Sequence, residues 1–313
     1  INLASNPTFK TEVIEVSLPE ALNLYLAESI YAPINVPSFN QSAMDGFAFN
    51  FSEKNAPLNV IDTIPAGDTR EISITDGESV RIFTGSMVPD SCDTVVMQEL
   101  TEMVGGKLIV KDLGLKQGGN IRQKGHQIKQ GELALEKGTK IKSATIGFLA
   151  SLGISEIKVH KTPTVKVLTT GSELIKPGAK IIEGQVYEAN TFMLQAALNS
   201  VDIEPSVSLL QDDLEETKEA IKKALNDFDI VILSGGISVG DYDFVKEALE
   251  ANEVKELFYK VKQKPGKPLF FGKKDKKLIF ALPGNPAAAL NCFYAYVLSG
   301  INIQRGTPNP FLR

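Results

Sequence analysis

Lys264-Pro265-Gly266-Lys267-Pro268 sets two ammonium groups three residues apart on a chain that prolines stiffen. Pre-set φ angles lower the entropy lost when two cations converge on one oxyanion, so the segment suits a small, highly charged anion. The run Ser234-Gly235-Gly236-Ile237-Ser238-Val239-Gly240-Asp241-Tyr242-Asp243 suits such a guest by another route. Adjacent glycines let backbone N–H groups approach a phosphate, and the N-terminus of a following helix adds partial positive charge. Asp241 and Asp243 oppose a bare phosphate but match a hydrated Mg²⁺ that accompanies one. Turn glycines and capping aspartates account for either feature alone and explain their conjunction poorly. Pro283-Gly284-Asn285-Pro286 ends an apolar run and opens an apolar helix, which fits a ligand loop or simply a tight turn. Glu173, in Thr170-Gly171-Ser172-Glu173-Leu174, stands where a strand end would present a carboxylate to a metal or substrate. Asp45, before Gly46 and among Phe39, Phe47, Phe49 and Phe51, reads either as a functional carboxylate or as a turn residue over an aromatic core.

Several chemistries drop out on residue supply. The chain of 313 residues holds two histidines, His126 and His160, and two cysteines, Cys92 and Cys292, neither in a C-x-x-C pair. Imidazole clusters, zinc ribbons and thioredoxin-type redox motifs therefore have no basis, and a reducing, cytoplasmic setting is expected. Gly236-Ile237-Ser238-Val239-Gly240 matches the G-x-S-x-G of a hydrolase nucleophile elbow, but both histidines precede Ser238, where that triad needs one after it. There is no P-loop and no G-x-G-x-x-G fingerprint. Nine lysines and two acids fall between Lys255 and Lys277 in a chain of net charge −5. One basic segment in an acidic protein does not make a duplex-binding face, so no nucleic-acid partner is expected. Lys273, Lys274, Lys276 and Lys277 read as a solvated hairpin tip. The longest apolar run, Ala287 to Leu298, is too short for a bilayer, and no basic-then-apolar leader follows Ile1, so neither a membrane span nor a signal peptide is expected.

These residues need elements to hold them. Glu12 to Val16 alternates like a strand, and Ser17-Leu18-Pro19-Glu20 fits a capping box leading into a helix with Leu18, Leu22, Tyr25 or Leu26, and Ile30 on one face. From Pro37 to Gly119, short β-like runs (Ser79–Phe83, Thr94–Met97, Lys107–Val110) alternate with Gly, Pro and Asp, as in a small β-rich domain. A helix over Ala144–Leu152 closed by Gly153 and a strand over Glu156–Val159 then return, expected to pack on the N-terminal helix. After Pro163 the order becomes strand Val165–Thr169, helix Thr191–Ser200, strand Ser206–Leu210, then a helix after Asp212-Asp213 with Leu214, Ile221, Leu225 and Phe228 on one face. Strand Asp229–Leu233, a helix over Tyr242–Ala251, strands Leu257–Val261 and Leu278–Leu282, and a helix after Pro286 complete it. This alternation predicts an open, mostly parallel α/β sheet with helices on both faces, and ligands at the carboxyl ends of its strands. The loops after Thr169, Leu233 and Leu282 are the ones to hold a ligand.

Read together, the motifs resemble the molybdopterin molybdenumtransferase family, which includes the E domain of gephyrin-like proteins. The resemblance is carried by SAMDGFA (Ser42 to Ala48), PAG (Pro65 to Gly67), RIFTGSMVPDSCDTVVMQE (Arg81 to Glu99), NIRQKGHQI (Asn120 to Ile128) and TGSEL (Thr170 to Leu174). It continues through SGGISVGDYD (Ser234 to Asp243), KPGKP (Lys264 to Pro268) and LPGNP (Leu282 to Pro286). It implies a fold of α/β plus β class: an elongated domain I (1–36 and 120–160), a β-rich domain II (37–119) and an α/β domain III (161–304), with 305–313 starting a linker to a β-rich fourth domain beyond Arg313. It implies Mg²⁺-dependent insertion of molybdate into adenylylated molybdopterin with release of AMP. The cleft is expected between domain III of one subunit of a homodimer and domain II of the other. By resemblance Asp45, Glu173, Asp243, Lys264 and Lys267 are catalytic, and Asp212 and Asp243 hold Mg²⁺. Thr84, Gly85, Ser234, Gly235, Gly236, Ser238, Asp241, Pro268, Pro283, Gly284 and Asn285 bind substrate, Lys264, Lys267 and Pro268 lining the molybdate site. Gln127 stands where the family motif ends in an acid, and Ala287-Ala288 replaces a serine after GNP. Molybdopterin adenylyltransferase and a non-enzymatic, gephyrin-like scaffold are the competing readings.

Overall fold

The computed structural model describes residues 9–237 and 244–307. The chain divides into two compact units. One holds the described residues up to Ser29, Glu136–Gly147 and those from Ser155 onward; the other holds Ile30–Leu135 and Phe148–Ile154.

The first unit is built on a six-stranded sheet of β1 (Val165–Thr170), β2 (Ser206–Leu210), β3 (Ile230–Ser234), β4 (Lys255–Tyr259), β5 (Phe270–Lys274) and β6 (Lys277–Leu282). Their order is β2-β1-β3-β6-β5-β4. The first four in that order are parallel, in register pairs such as Val167 with Val207 and Ile232 with Phe280, while β5 runs antiparallel to both of its neighbours, β6 and the edge strand β4. Every residue of β3 is buried, the continuous apolar pattern of a strand covered on both faces. Alternate side chains sort to opposite faces. Val165, Val167, Ile230, Ile232, Leu278, Phe280 and Leu282 pack with α1 (Asn190–Asn199), α4 (Pro286–Cys292) and α5 (Leu298–Gln304). Leu168, Val231, Leu233, Ile279 and Ala281 pack with α2 (Leu214–Asp227) and α3 (Phe244–Ala251). The expected open α/β sheet is therefore present.

Local readings differ in places. The helix expected after Ser17 does not form. Glu20 does reach back to the Ser17 amide and hydroxyl, at 3.2 and 2.6 Å, which is half of the capping box. Only a 3₁₀ turn, Pro19–Ala21, follows before Asn23 turns left-handed at φ 66°. Leu22 is 50% exposed while Leu26 is buried, because Tyr25–Leu26 pairs as a strand with Glu156–His160. Val13–Ser17 pairs with the other edge of that strand, so the returning segment packs on a strand rather than a helix. Sheet pairing outcompetes a helix only a few residues long. Strand β5, masked in the sequence by Pro268 and its lysines, was not foreseen. Arg305, expected to open a linker, is 3% exposed and donates from its guanidinium to the Val201 carbonyl at 2.7 Å.

The second unit is β-rich. Asn59–Ile64, Glu78–Ile82, Gly46–Phe49 and Thr94–Met97 lie side by side in that order, the first pair parallel and the rest antiparallel. They enclose Ala48, Phe49, Val80, Ile82, Val95 and Leu108. Thr101–Val104 and Lys107–Val110 form a hairpin whose turn, Gly105-Gly106, has φ of 58° and 81°. Positive φ at both positions is what a two-residue turn matching strand twist requires.

Candidate active site

At the carboxyl ends of the parallel strands lies a cavity of about 700 Å³. Gly171 and Glu173 line it from the loop after β1, and Asp212 from the loop after β2. Ser234, Gly235 and Gly236 enter from the end of β3, and Pro283, Gly284 and Asn285 from the loop after β6. Pro268 closes one side. Such a crevice, where loops splay from adjoining parallel strands, is where open α/β sheets hold ligands.

The diglycine bend can be nothing else here. Gly235 has φ 94°, and a Cβ on it would lie 2.5 Å from the Thr170 carbonyl oxygen. Gly236 has φ 61°, and a Cβ there would meet Val245 at 2.8 Å. Both conditions demand glycine, and the bare backbone they leave faces the cavity. Asp212 and Asp213 separate by partner. Asp213 caps α2, accepting from the Glu216 amide at 2.8 Å, whereas Asp212 Oδ2 accepts from the Ser172 amide at 2.7 Å and its hydroxyl at 3.0 Å. Asn285 caps α4, its side-chain oxygen accepting from the Ala288 amide at 3.1 Å, with Pro286 in the first turn.

Two residues of this wall went unremarked in the sequence. Asn190, 7% exposed, donates from Nδ2 to the Ser234 hydroxyl and to the Gly284 carbonyl, both at 2.8 Å. Glu188, also buried, accepts from the Thr191 amide at 2.7 Å and so caps α1. Their only cue was a polar Glu188-Ala189-Asn190 step before an apolar helix.

The lysine segment is held rigidly from behind. Gln263 Nε2 donates to the Gly266 carbonyl at 3.0 Å, and Gln263 Oε1 accepts from the Tyr296 hydroxyl at 2.8 Å. Gly266, at φ 97°, packs so closely that a Cβ would lie 2.7 Å from Cys292 Sγ. Lys264 and Lys267 are exposed, and the cavity lining includes Pro268 rather than either lysine. Ser238, Asp241 and Asp243 lie outside the described residues.

In the β-rich unit, Asp45, Thr84 and Gly85 come together. Asp45 Oδ1 accepts from the Thr84 amide and hydroxyl, each at 2.8 Å, and the Gly85 amide donates to the Ser42 carbonyl at 2.9 Å. The two Thr84 bonds, aided by Arg81, hold the Asp45 carboxyl below the usual carboxylate range. Gly46 is obligatory, since a Cβ would strike the Val96 carbonyl. Gln127 is exposed and lines a separate cavity of about 590 Å³ with Arg122 and His126.

Among the described residues no three His, Cys, Asp or Glu side chains gather to hold a metal. Mg²⁺ is nonetheless compatible with the wall, because it takes oxygen ligands, keeps several waters and is commonly held by one or two carboxylates plus substrate phosphates. Asp212 and Glu173 line the same cavity.

Comparison with known proteins decides the family. Residues 2–153 match the profile of the MoeA N-terminal region (domain I and II), and residues 166–302 that of a probable molybdopterin binding domain. A molybdopterin molybdenumtransferase of Haemophilus influenzae is 40% identical over 294 residues, spanning 92% of this chain and 72% of that protein. The chain belongs to the molybdopterin molybdenumtransferase family. A Staphylococcus epidermidis member is 36% identical over 301 residues, spanning 94% of this chain and 72% of its own length. In three dimensions a molybdopterin biosynthesis MoeA protein from Pyrococcus horikosii superimposes with a TM-score of 0.83 at 30% identity, covering 98% of this chain and 79% of that one. The mixed α/β architecture is thus that of MoeA proteins. No helix among the described residues is long and apolar enough to cross a membrane.

Proposed function

We propose that this chain is a transferase of molybdenum cofactor biosynthesis, inserting molybdate into adenylylated molybdopterin and releasing AMP. The observation that carries the reading is the cavity at the strand ends, where the obligatory Gly235-Gly236 bend, the Pro283–Asn285 turn and two carboxylates share one wall in a member of this family. Bare backbone at the bend can donate to a phosphate or adenylate oxygen without a side chain intervening. Asp212 and Asp243 would hold Mg²⁺, which offsets pyrophosphate charge when bound. Lys264 and Lys267, carried on their braced turn beside Pro268, neutralise the two charges of molybdate. Preorganised cations of this kind stabilise charge that develops as the phosphate leaves. Asp45, from the second subunit of a homodimer, and Glu173 complete the acidic side of the cleft, while Thr84 and Gly85 bind substrate. Domain I (1–36, 120–160), domain II (37–119) and domain III (161–304) are the layout that goes with this assignment.

The test is molybdate-dependent release of AMP from adenylylated molybdopterin. Wild-type protein should release it, and Lys264→Ala with Lys267→Ala should abolish release. Undiminished release in that double variant would remove the lysines from the reaction, and release that does not depend on molybdate would overturn the assignment as a whole.

A further inference from the structure

Three loops form the floor of the cavity, and a single side-chain amide reaches from one of them to the other two. Asn190 stands at the first position of α1, after the loop that leaves β1. Its Nδ2 spends both hydrogens, one on Ser234 at the diglycine bend and one on the Gly284 carbonyl in the Pro283–Asn285 turn. The orientation follows from chemistry: a carbonyl can only accept, so the nitrogen must face Gly284. Among the described residues Oδ1 is buried with no partner. The start of its helix is held at the next residue, Thr191, whose amide donates to Glu188 and whose hydroxyl lies 2.8 Å from that of Thr169. Across the seam the two turns already touch. The Gly235 amide donates to the Leu282 carbonyl at 3.4 Å, and a Cβ on Gly284 would be 3.8 Å from Gly235 Cα.

We propose that Asn190 is a positioning residue: it sets the spacing between the diglycine bend and the Gly284 turn, and thereby the width of the seat for the anionic part of the substrate. The inference rests on the transferase assignment above, but its physical core, coupling of the two turns, does not need turnover to be seen.

Asn190→Asp keeps the shape and replaces the nitrogen with an oxygen that opposes the Gly284 carbonyl. Asn190→Ala removes the group altogether. Both should raise KM for adenylylated molybdopterin by about tenfold or more while changing kcat much less. The Asp variant should regain affinity as pH falls, because a protonated carboxyl can donate again. Ser234→Ala should cost less in the Asn190→Ala background than in wild type, since the two share a bond. In the unliganded protein, amide hydrogen exchange in peptides covering Gly235 and Gly284 should quicken in either Asn190 variant. An Asp variant with wild-type KM, flat pH response and unchanged exchange would reduce Asn190 to a space-filling residue and overturn the proposal. Quickened exchange in a protein whose wild type shows no AMP release would instead leave the coupling standing and remove the transferase assignment. If Asn190→Ala does not fold, Ser234→Ala cuts the same tie from the other side and reads the same peptides.

Discussion

Gly235 shows how little freedom a residue at the cavity has. Its φ of 94° and the 2.5 Å approach to the Thr170 carbonyl leave no room for a methyl group. Placing alanine in a left-handed conformation costs about 1–2 kcal/mol before the clash is counted. Gly235→Ala should therefore lower the unfolding midpoint by several degrees and reduce kcat/KM at least tenfold, measured by calorimetry and steady-state release of AMP; an unaltered kcat/KM would mean that backbone donors at the bend do not touch substrate. Asp45 illustrates the opposite case, an exposed carboxylate made a better anion by two hydrogen bonds from Thr84. Thr84→Val keeps the bulk and the amide bond but deletes the hydroxyl. It should raise the Asp45 pKa toward its ordinary value, which NMR titration of the side-chain carboxyl would register directly.

At the scale of elements, the adjacent aspartates before α2 divide the work. Both begin a D-x-x-E pattern, yet Asp213 alone bonds the helix, through the Glu216 amide. Asp213→Ala should cost about 1 kcal/mol of stability and leave AMP release unchanged. Asp212→Ala should leave α2 capped but free Ser172 and weaken nucleotide binding in the presence of Mg²⁺. Thermal unfolding and calorimetric titration of the pair separate the roles; equal loss of stability in both would contradict this division. The hairpin of β5 and β6 holds a related surprise. Lys277 donates to the Asn226 and Phe228 carbonyls, and Lys274 to the Asn252 carbonyl, at the carboxyl ends of α2 and α3. Lysines that read as solvated by composition thus satisfy orphan carbonyls and meet the negative ends of two helix dipoles.

For the chain as a whole, distant segments converge on His160, which is 4% exposed. Its Nδ1 lies 3.3 Å from the Thr11 carbonyl, its Nε2 is buried without a partner among the described residues, and Gly306 packs on the ring. Burial, with Lys10 and Lys137 adding, pushes its pKa down. The unfolded chain takes up a proton near pH 6.5 and the folded chain only below that, so the unfolded state binds more protons in between. Stability should accordingly fall as pH drops through about 6.5, and His160→Gln should flatten that limb when urea midpoints at pH 7.5 and 5.5 are compared; parallel slopes in both proteins would place the titration elsewhere. Much of this molecule was legible in one dimension. Short apolar runs alternating with helical periods of about 3.6 announced the α/β sheet because its central strands are covered on both faces and its helices each bury one, and the glycine bend, the Pro-Gly turn and Glu173 announced themselves because backbone and charge requirements are local. Asn190, the choice between Asp212 and Asp213, the fate of the segment after Ser17 and the capping lysines were settled only by tertiary structure. Each depends on a hydrogen-bond partner tens of residues away, and a donor's partner is a matter of distance in space, which no spacing along the chain encodes.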